Sequence, residues 1–445
     1  MSLKNQPPSG VPAGGTNPGA PSPRGPNPEG HNQGDPDPER KHQDLVDDPS
    51  WREELLAART RIAGIAVRTP LIPSPALSER LGAEVYLKLE TLQPTGSFKL
   101  RGAASKVVRL AASDRPGHGR PAGAPASDPA PLRPVPGVVT FSTGNHGRAV
   151  AYVARRLGLR AVVCVSEGVP PVKLEAIRRL GAELAFAPTQ DDAEALCARL
   201  AAEQGLVPVH PFDDPDVIAG HGTVGLEILD DLPDVDAVIV PLSGGGLLSG
   251  VGLALWHFAP GGVARPQGIL APGGRASSRP AAAAGARQSV TAPQLIGVSM
   301  ERGPVMFHSL RAGRPITLPE EPSLADSLLG GIGLDNRWTF QLVSELATDA
   351  VLVSEEAIAR AMTFMLEEHG LLVEGGAATA VAALMEAAAT PPDSKASDRH
   401  VPSDRRVQSL RGVFPWRPEG PLPKPRRIVV VVTGRNVDPR RVVSG

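Results

Sequence analysis

Along this chain, short runs that are apolar throughout alternate with longer stretches in which apolar residues recur at helical spacing. The continuous runs predict strands over Ala83–Leu89, Val135–Phe141, Leu159–Val165, Ala182–Phe186, Ala237–Leu242, Leu295–Ser299 and Arg427–Thr433. The periodic stretches predict helices over Trp51–Ala66, Asn145–Leu157, Val172–Leu180, Asp191–Gln204, His221–Leu229, a segment running through Leu255, Glu355–Glu368 and Gly376–Ala387. Strands without polar alternation are buried on both faces. Their alternation with helices predicts an α/β fold with parallel-rich sheets covered on both sides.

Four stretches break this pattern. Residues 1–45 are rich in Pro, Gly, Asn and charge and cannot bury enough apolar surface to offset their ordering entropy, so a disordered tail is expected. Low-complexity text of the same character fills the regions near 113–136, 261–293 and 390–427. Structureless loops of that length are uncommon inside compact domains, which makes these segments insertions at surface connections.

Composition narrows the partners. Charged residues make up 21% and the formal net charge is -1, which gives no electrostatic reason to expect nucleic acid or a membrane surface as partner. With 41% hydrophobic but only 3% aromatic residues, the core must be built from Ala, Val, Leu and Ile. The two cysteines, Cys164 and Cys197, have neither metal-site nor disulfide-framework spacing, as expected in a reducing cytoplasm. No apolar run has the length of a membrane helix, and the first residues carry no apolar signal region.

Four segments carry candidate chemistry. The first is Pro94-Thr-Gly-Ser-Phe-Lys-Leu-Arg-Gly-Ala103, a turn leading into Lys99. A lysine amine is protonated near its ordinary pKa of about 10.4, but in a pocket that disfavours the charge it becomes a nucleophile able to form a Schiff base. Taken alone, Lys99 is more often a solvated surface cation, and its neighbours Ser97 and Phe98 after the turn are what shift the reading. The second is Ser142-Thr-Gly-Asn-His-Gly147, between a strand and a helix start, where backbone N–H groups attract an anion or are simply capped. The third, Ser243-Gly-Gly-Gly-Leu-Leu-Ser-Gly250, follows a strand and allows close backbone approach to a phosphate. The fourth is Val432-Thr-Gly-Arg-Asn-Val-Asp438.

The Lys99 run resembles the cofactor-lysine segment of pyridoxal-phosphate enzymes of fold type II, within them the threonine/serine dehydratases, whose pattern reads Gly-Ser-Phe-Lys-x-Arg-Gly-Ala. The other three segments follow in the family's order. The resemblance implies two α/β domains with the cofactor in the cleft between them. The large cofactor-binding domain would comprise residues 46–136 and 210–445, and the small domain 137–209. It implies that Lys99 carries the cofactor and then acts as base. Phe98, Asn145 at the ring oxygen, Gly244, Gly245, Gly246 and Leu247 at the phosphate, and Thr433 at the pyridine nitrogen would complete the cofactor site. Ser142, Thr143, Gly144 and His146 would hold the substrate carboxylate, with His146 a binding rather than a basic residue. A Glu near the ring matches Glu374, and a structural turn matches Asp326.

The implied reaction is β-elimination of water from a hydroxy-amino acid such as threonine or serine, giving a 2-oxo acid and ammonia, in a homo-oligomer (dimer or tetramer). A neutral hydroxyl such as Thr433 at the pyridine nitrogen suits elimination, because it leaves the cofactor a weaker electron sink than a carboxylate would. Three departures qualify this picture. The hydroxyl of Thr143, where many dehydratases have Ala, keeps a racemase of the same fold as an alternative. Ser299 and Val305 stand where the family's cation-binding carboxylates would be, with Glu301 only nearby, so no metal is expected. Arg435 replaces a family Gly. The text Leu242-Ser-Gly-Gly-Gly, Val298-Ser-Met-Glu-Arg-Gly303 and Gly434-Arg-Asn-Val-Asp438 is similar to the branch associated with hydroxyectoine utilisation. A rival from another class is a cofactor-binding protein without turnover.

Overall fold

The structure is a computed structural model that describes residues 45–113, 135–142, 144–260, 293–389 and 426–438. The expected tail and the three expected insertions lie, apart from their edges, outside the described residues, as does Thr143. The strands are β1 Leu71–Pro73, β2 Glu84–Leu89, β3 Val138–Phe141, β4 Ala161–Ser166, β5 Glu183–Ala187, β6 Val207–Pro208, β7 Ala237–Pro241, β8 Gln294–Met300, β9 Asp349–Val353 and β10 Arg427–Val432.

They form two sheets. One has six strands in the order β1-β2-β10-β7-β8-β9, parallel except where β1 pairs antiparallel with β2. The other has four parallel strands in the order β5-β4-β3-β6. The apolar runs Ala237–Pro241 and Ile428–Val432 are fully buried in the middle of the larger sheet, which explains their lack of polar alternation. The α/β expectation with parallel-rich sheets is met.

Helix bounds mostly follow the sequence pattern, and Asn145–Leu157 does so residue for residue. The helices Pro75–Leu81, Lys99–Ser113, Val305–Ala312 and Thr339–Leu346 were not expected, and among those that were, His221–Leu229 differs most, running from Pro215 to Asp231. Asp214 starts it by accepting hydrogen bonds from the N–H groups of Asp216 and Val217, with Pro215 at the first helical position. Residues 216–228 of this helix are all buried, so no exposed face marked its length in the sequence. It packs between the helices Lys99–Ser113 and Gly246–Phe258. The contact is close enough that a Cβ on Gly220 would lie 2.5 Å from the Arg101 carbonyl oxygen, and one on Gly250 2.4 Å from that of Ile218.

Candidate active site

Lys99 begins its helix directly after the turn Pro94–Gly96, where Gly96 adopts φ +77°. The extended residues before the lysine are tied to the end of β10: the N–H of Phe98 donates to the Thr433 carbonyl oxygen at 3.0 Å, and the N–H of Arg435 donates to that of Gly96 at 2.9 Å. Lys99 Nζ donates to the Pro211 carbonyl oxygen at 2.7 Å. Burial pushes its pKa down to about 8, although the Glu374 carboxylate pulls the other way.

This amine opens onto a cavity between the two sheets. Phe98, Ser142, Asn145, His146, Gly244, Gly245, Gly246, Leu247 and Thr433 share its wall with Lys99. Of the expected site residues, Gly144 is not on the wall. The Lys173 side chain lies across it, since a Cβ on Gly144 would sit 2.9 Å from Lys173 Cδ. Lys173, also on the cavity wall, pairs through Nζ with Asp326 Oδ2 at 2.8 Å, which gives the expected turn residue an ion-pairing contact as well. The loop's backbone donors are also partly engaged. Ser142 Oγ accepts from the N–H groups of Gly144 (3.0 Å) and Gly147 (2.9 Å).

His146 is 3% exposed, and burial beside Lys99 pushes its pKa down to about 3. Its Nε2 is 3.0 Å from the Val209 carbonyl oxygen, an acceptor only, so Nε2 carries the proton. Nδ1 is left as a buried acceptor without a partner among the described residues, and in this neutral form His146 has no proton to release at neutral pH.

Between β7 and the helix Gly246–Phe258, the glycine loop turns through Gly245 at φ +85°. No side chain caps this helix start, and the loop lines the cavity. A Cβ on Gly244 would meet the Phe212 ring at 2.4 Å, so packing demands glycine at 244 and backbone conformation at 245. Ser243 Oγ donates to the Leu328 carbonyl oxygen at 2.9 Å and is thereby turned to the loop opposite.

At the end of β10, Thr433 is buried on the cavity wall and Arg435 is exposed. Glu374 is 3% exposed and also lines the cavity, and burial raises its pKa. Asn145 Nδ2 donates to Glu374 Oε1 at 2.7 Å. Asn436, Arg148, Lys173 and His221 escaped the sequence reading. Asn436 carried a signal, because it occupies the last place of the family's Ser-Gly-Gly-Asn pattern. His221 carried none: its ring packs 4.8 Å from that of Phe98, deep in a helix without an exposed face.

The family model described as pyridoxal-phosphate dependent enzyme matches residues 62–399. The chain belongs to this family. A Sinorhizobium fredii protein named as a threonine dehydratase is 42% identical over 75% of this chain and 86% of its own length. An L-threonine ammonia-lyase of Thermotoga maritima is 36% identical over 75% of this chain and 70% of its own. Among solved structures, maize serine racemase superposes with a TM-score of 0.65 at 26% identity, covering 88% of this chain and 95% of that one. The protein is therefore a fold type II pyridoxal-phosphate enzyme of the threonine/serine dehydratase group, and a lyase.

The cavity fits the cofactor of the family. It holds a lysine whose charge is suppressed and, among the described residues, a helix start that no side chain caps, open to a phosphate. Among the described residues no group of three or more His, Cys, Asp and Glu is placed to hold a metal, and no helix is long and apolar enough to cross a membrane. Ser299 is buried and Val305 packs in the core of the larger sheet, while Glu301 is exposed.

Proposed function

We propose that this protein is a dehydratase that removes water from a small hydroxy-amino acid, threonine or serine in the first place, and releases a 2-oxo acid and ammonia. The observation that carries this reading is Lys99, an amine with its pKa lowered to about 8 on the wall of a cavity shared with Asn145, the Gly244–Gly246 loop and Thr433. The names of the Sinorhizobium and Thermotoga relatives support threonine as substrate. Bound at Lys99, pyridoxal phosphate withdraws electrons from the amino acid's α-carbon, so that its proton becomes acidic and a β-hydroxyl can depart.

The chain's residues do the rest. Lys99 Nζ, released once the substrate's amine has taken its place on the cofactor, would be the base that takes the α-proton at short range. The Gly244–Gly246 loop and Leu247 bind the phosphate, Asn145 donates to the ring oxygen, Phe98 packs beside the lysine, and Thr433 offers a neutral hydroxyl to the pyridine nitrogen. Ser142, the backbone N–H of His146 and the adjoining loop, with Thr143, orient the substrate carboxylate. We assign the cofactor domain to residues 46–136 and 210–445, the small domain to 137–209, the active form to a homo-oligomer and the compartment to the cytoplasm.

The expected test is direct. Lys99→Ala loses the absorbance of lysine-bound cofactor and all turnover; an unchanged absorbance band contradicts the assignment. A panel of L-serine, L-threonine, D-serine and a hydroxyectoine-derived hydroxy-amino acid, assayed for 2-oxo acid and ammonia, identifies the substrate. Exclusive use of the last favours the hydroxyectoine branch. The likeness to maize serine racemase supports a second reading, racemisation, which the same panel tests by chiral analysis of recovered serine.

A further inference from the structure

We propose that Arg148 and Asn436 are positioning residues: together they fix the orientation of the Asn145 amide so that it turns an N–H donor, and not its carbonyl oxygen, to the cavity. This rests on the reading above that Asn145 meets the cofactor's ring oxygen.

Four side chains form one line of hydrogen bonds into the cavity. Arg148 Nη1 donates to Asn436 Oδ1 at 2.6 Å. Asn436 Nδ2 donates to Asn145 Oδ1 at 2.7 Å and to the Thr95 carbonyl oxygen at 3.0 Å. Asn145 Nδ2 donates to Glu374 Oε1 at 2.7 Å, and the backbone N–H of Asn436 donates to Glu374 Oε2 at 3.2 Å. An amide can be turned either way, so its orientation must come from neighbours whose roles are fixed. Two such neighbours are present. A guanidinium only donates, and a backbone carbonyl only accepts. Arg148 therefore holds the oxygen of Asn436, and Thr95 holds its nitrogen.

The consequence passes to the next residue. Asn436 presents N–H to Asn145, which must answer with Oδ1. Asn145 is left with Nδ2 for the cavity side, one hydrogen to Glu374 and the other unclaimed among the described residues. Turning Asn145 over would set two N–H groups against each other and lose a part-buried hydrogen bond. This polarity does not depend on whether the Glu374 carboxyl is ionised, since it is imposed from the Arg148 end. It also gives Arg148 a purpose. Arg148 is half-buried and has no carboxylate partner among the described residues, and its charge is spent on the Asn436 oxygen. The sequence makes this possible by placing Asn145 and Arg148 three residues apart at one helix start, with Asn436 on the segment leaving β10.

The test uses the full-length protein, stripped of cofactor and titrated with pyridoxal phosphate while absorbance is followed, with circular dichroism as a check on folding. Asn436→Asp keeps an acceptor for Arg148 and removes the N–H that Asn145 receives. Its expected result is an affinity about tenfold weaker and a shifted absorption maximum of the bound cofactor. Arg148→Gln removes the group that can only donate, and a smaller change in the same direction is expected. If Asn436→Asp does not fold, Arg148→Gln on its half-buried position decides alone. Wild-type affinity and spectrum in the folded variants overturn this inference and leave the functional reading standing. A wild-type protein that takes up no cofactor overturns both.

Discussion

Asp349, at the start of β9, is 1% exposed, and its Oδ2 has no hydrogen-bond partner among the described residues. Burial pushes its pKa from 3.8 up to about 6, against the opposing N–H of Ala350. The folded state thus holds this proton more tightly than the unfolded chain does. Its favourable contribution is complete below the unfolded pKa of 3.8 and is lost as pH rises through about 6. Asp349→Asn should therefore raise stability at pH 7 by about 3 kcal/mol and flatten the stability profile between the two pKa values. Urea midpoints measured across that range check this, and a lower midpoint at pH 7 contradicts it. The same burial acts on Lys99 in the opposite chemical sense, lowering an amine where it raises an acid. Residue types at the cavity were legible in the motifs. Their environments were not: nothing near His146 in the sequence announces that its Nε2 is held by the Val209 carbonyl.

At the scale of elements, glycine has two distinct uses that one pair of substitutions separates. Gly158 ends the helix Asn145–Leu157 at φ +70° with nothing within 4 Å of a Cβ, so Gly158→Ala should cost only the strained backbone, about 1 kcal/mol. Gly220 is helical, but a Cβ there would press on the Arg101 carbonyl oxygen at 2.5 Å. Gly220→Ala forces two helices apart and should cost more, about 1–3 kcal/mol, with weaker cofactor uptake because Lys99 rides on the displaced helix. Equal urea midpoints for the two variants would contradict this division. Strands were readable because parallel strands in the middle of a sheet are apolar throughout, as in β7 and β10. The weaker signals of β1 and β6, three and two residues long, were not. The start of the helix Pro215–Asp231 was present as Asp214-Pro215, but a helix buried on every side shows no period to extend from it.

At the scale of the molecule, one buried ion network ties the larger sheet to the helix that Lys99 begins. Arg101, two residues after the lysine, is clamped by Glu90 (2.7 and 2.8 Å) and Glu227 (2.6 and 2.8 Å), while Lys88 Nζ donates to the same Glu227 at 2.7 Å. Arg101→Met leaves two carboxylates without their guanidinium in the interior and should destabilise the protein by about 3–5 kcal/mol, measured by urea unfolding. A loss below about 1 kcal/mol would mean that the network does not hold the helix. β10 adds a second long-range tie, since the chain's last described strand inserts between β2 and β7 rather than at an edge. The sequence by itself determined the fold class, because strand period is a local property of the text, and the cofactor, because the order of four motifs carries the family resemblance. Only the tertiary structure decided which side chains meet: Glu374 with Asn145, Lys173 with Asp326, and Arg148 with Asn436. Those contacts join residues 153 to 288 positions apart, and nothing in a linear pattern encodes the distance or the hydrogen-bond polarity that closing the sheets imposes on them.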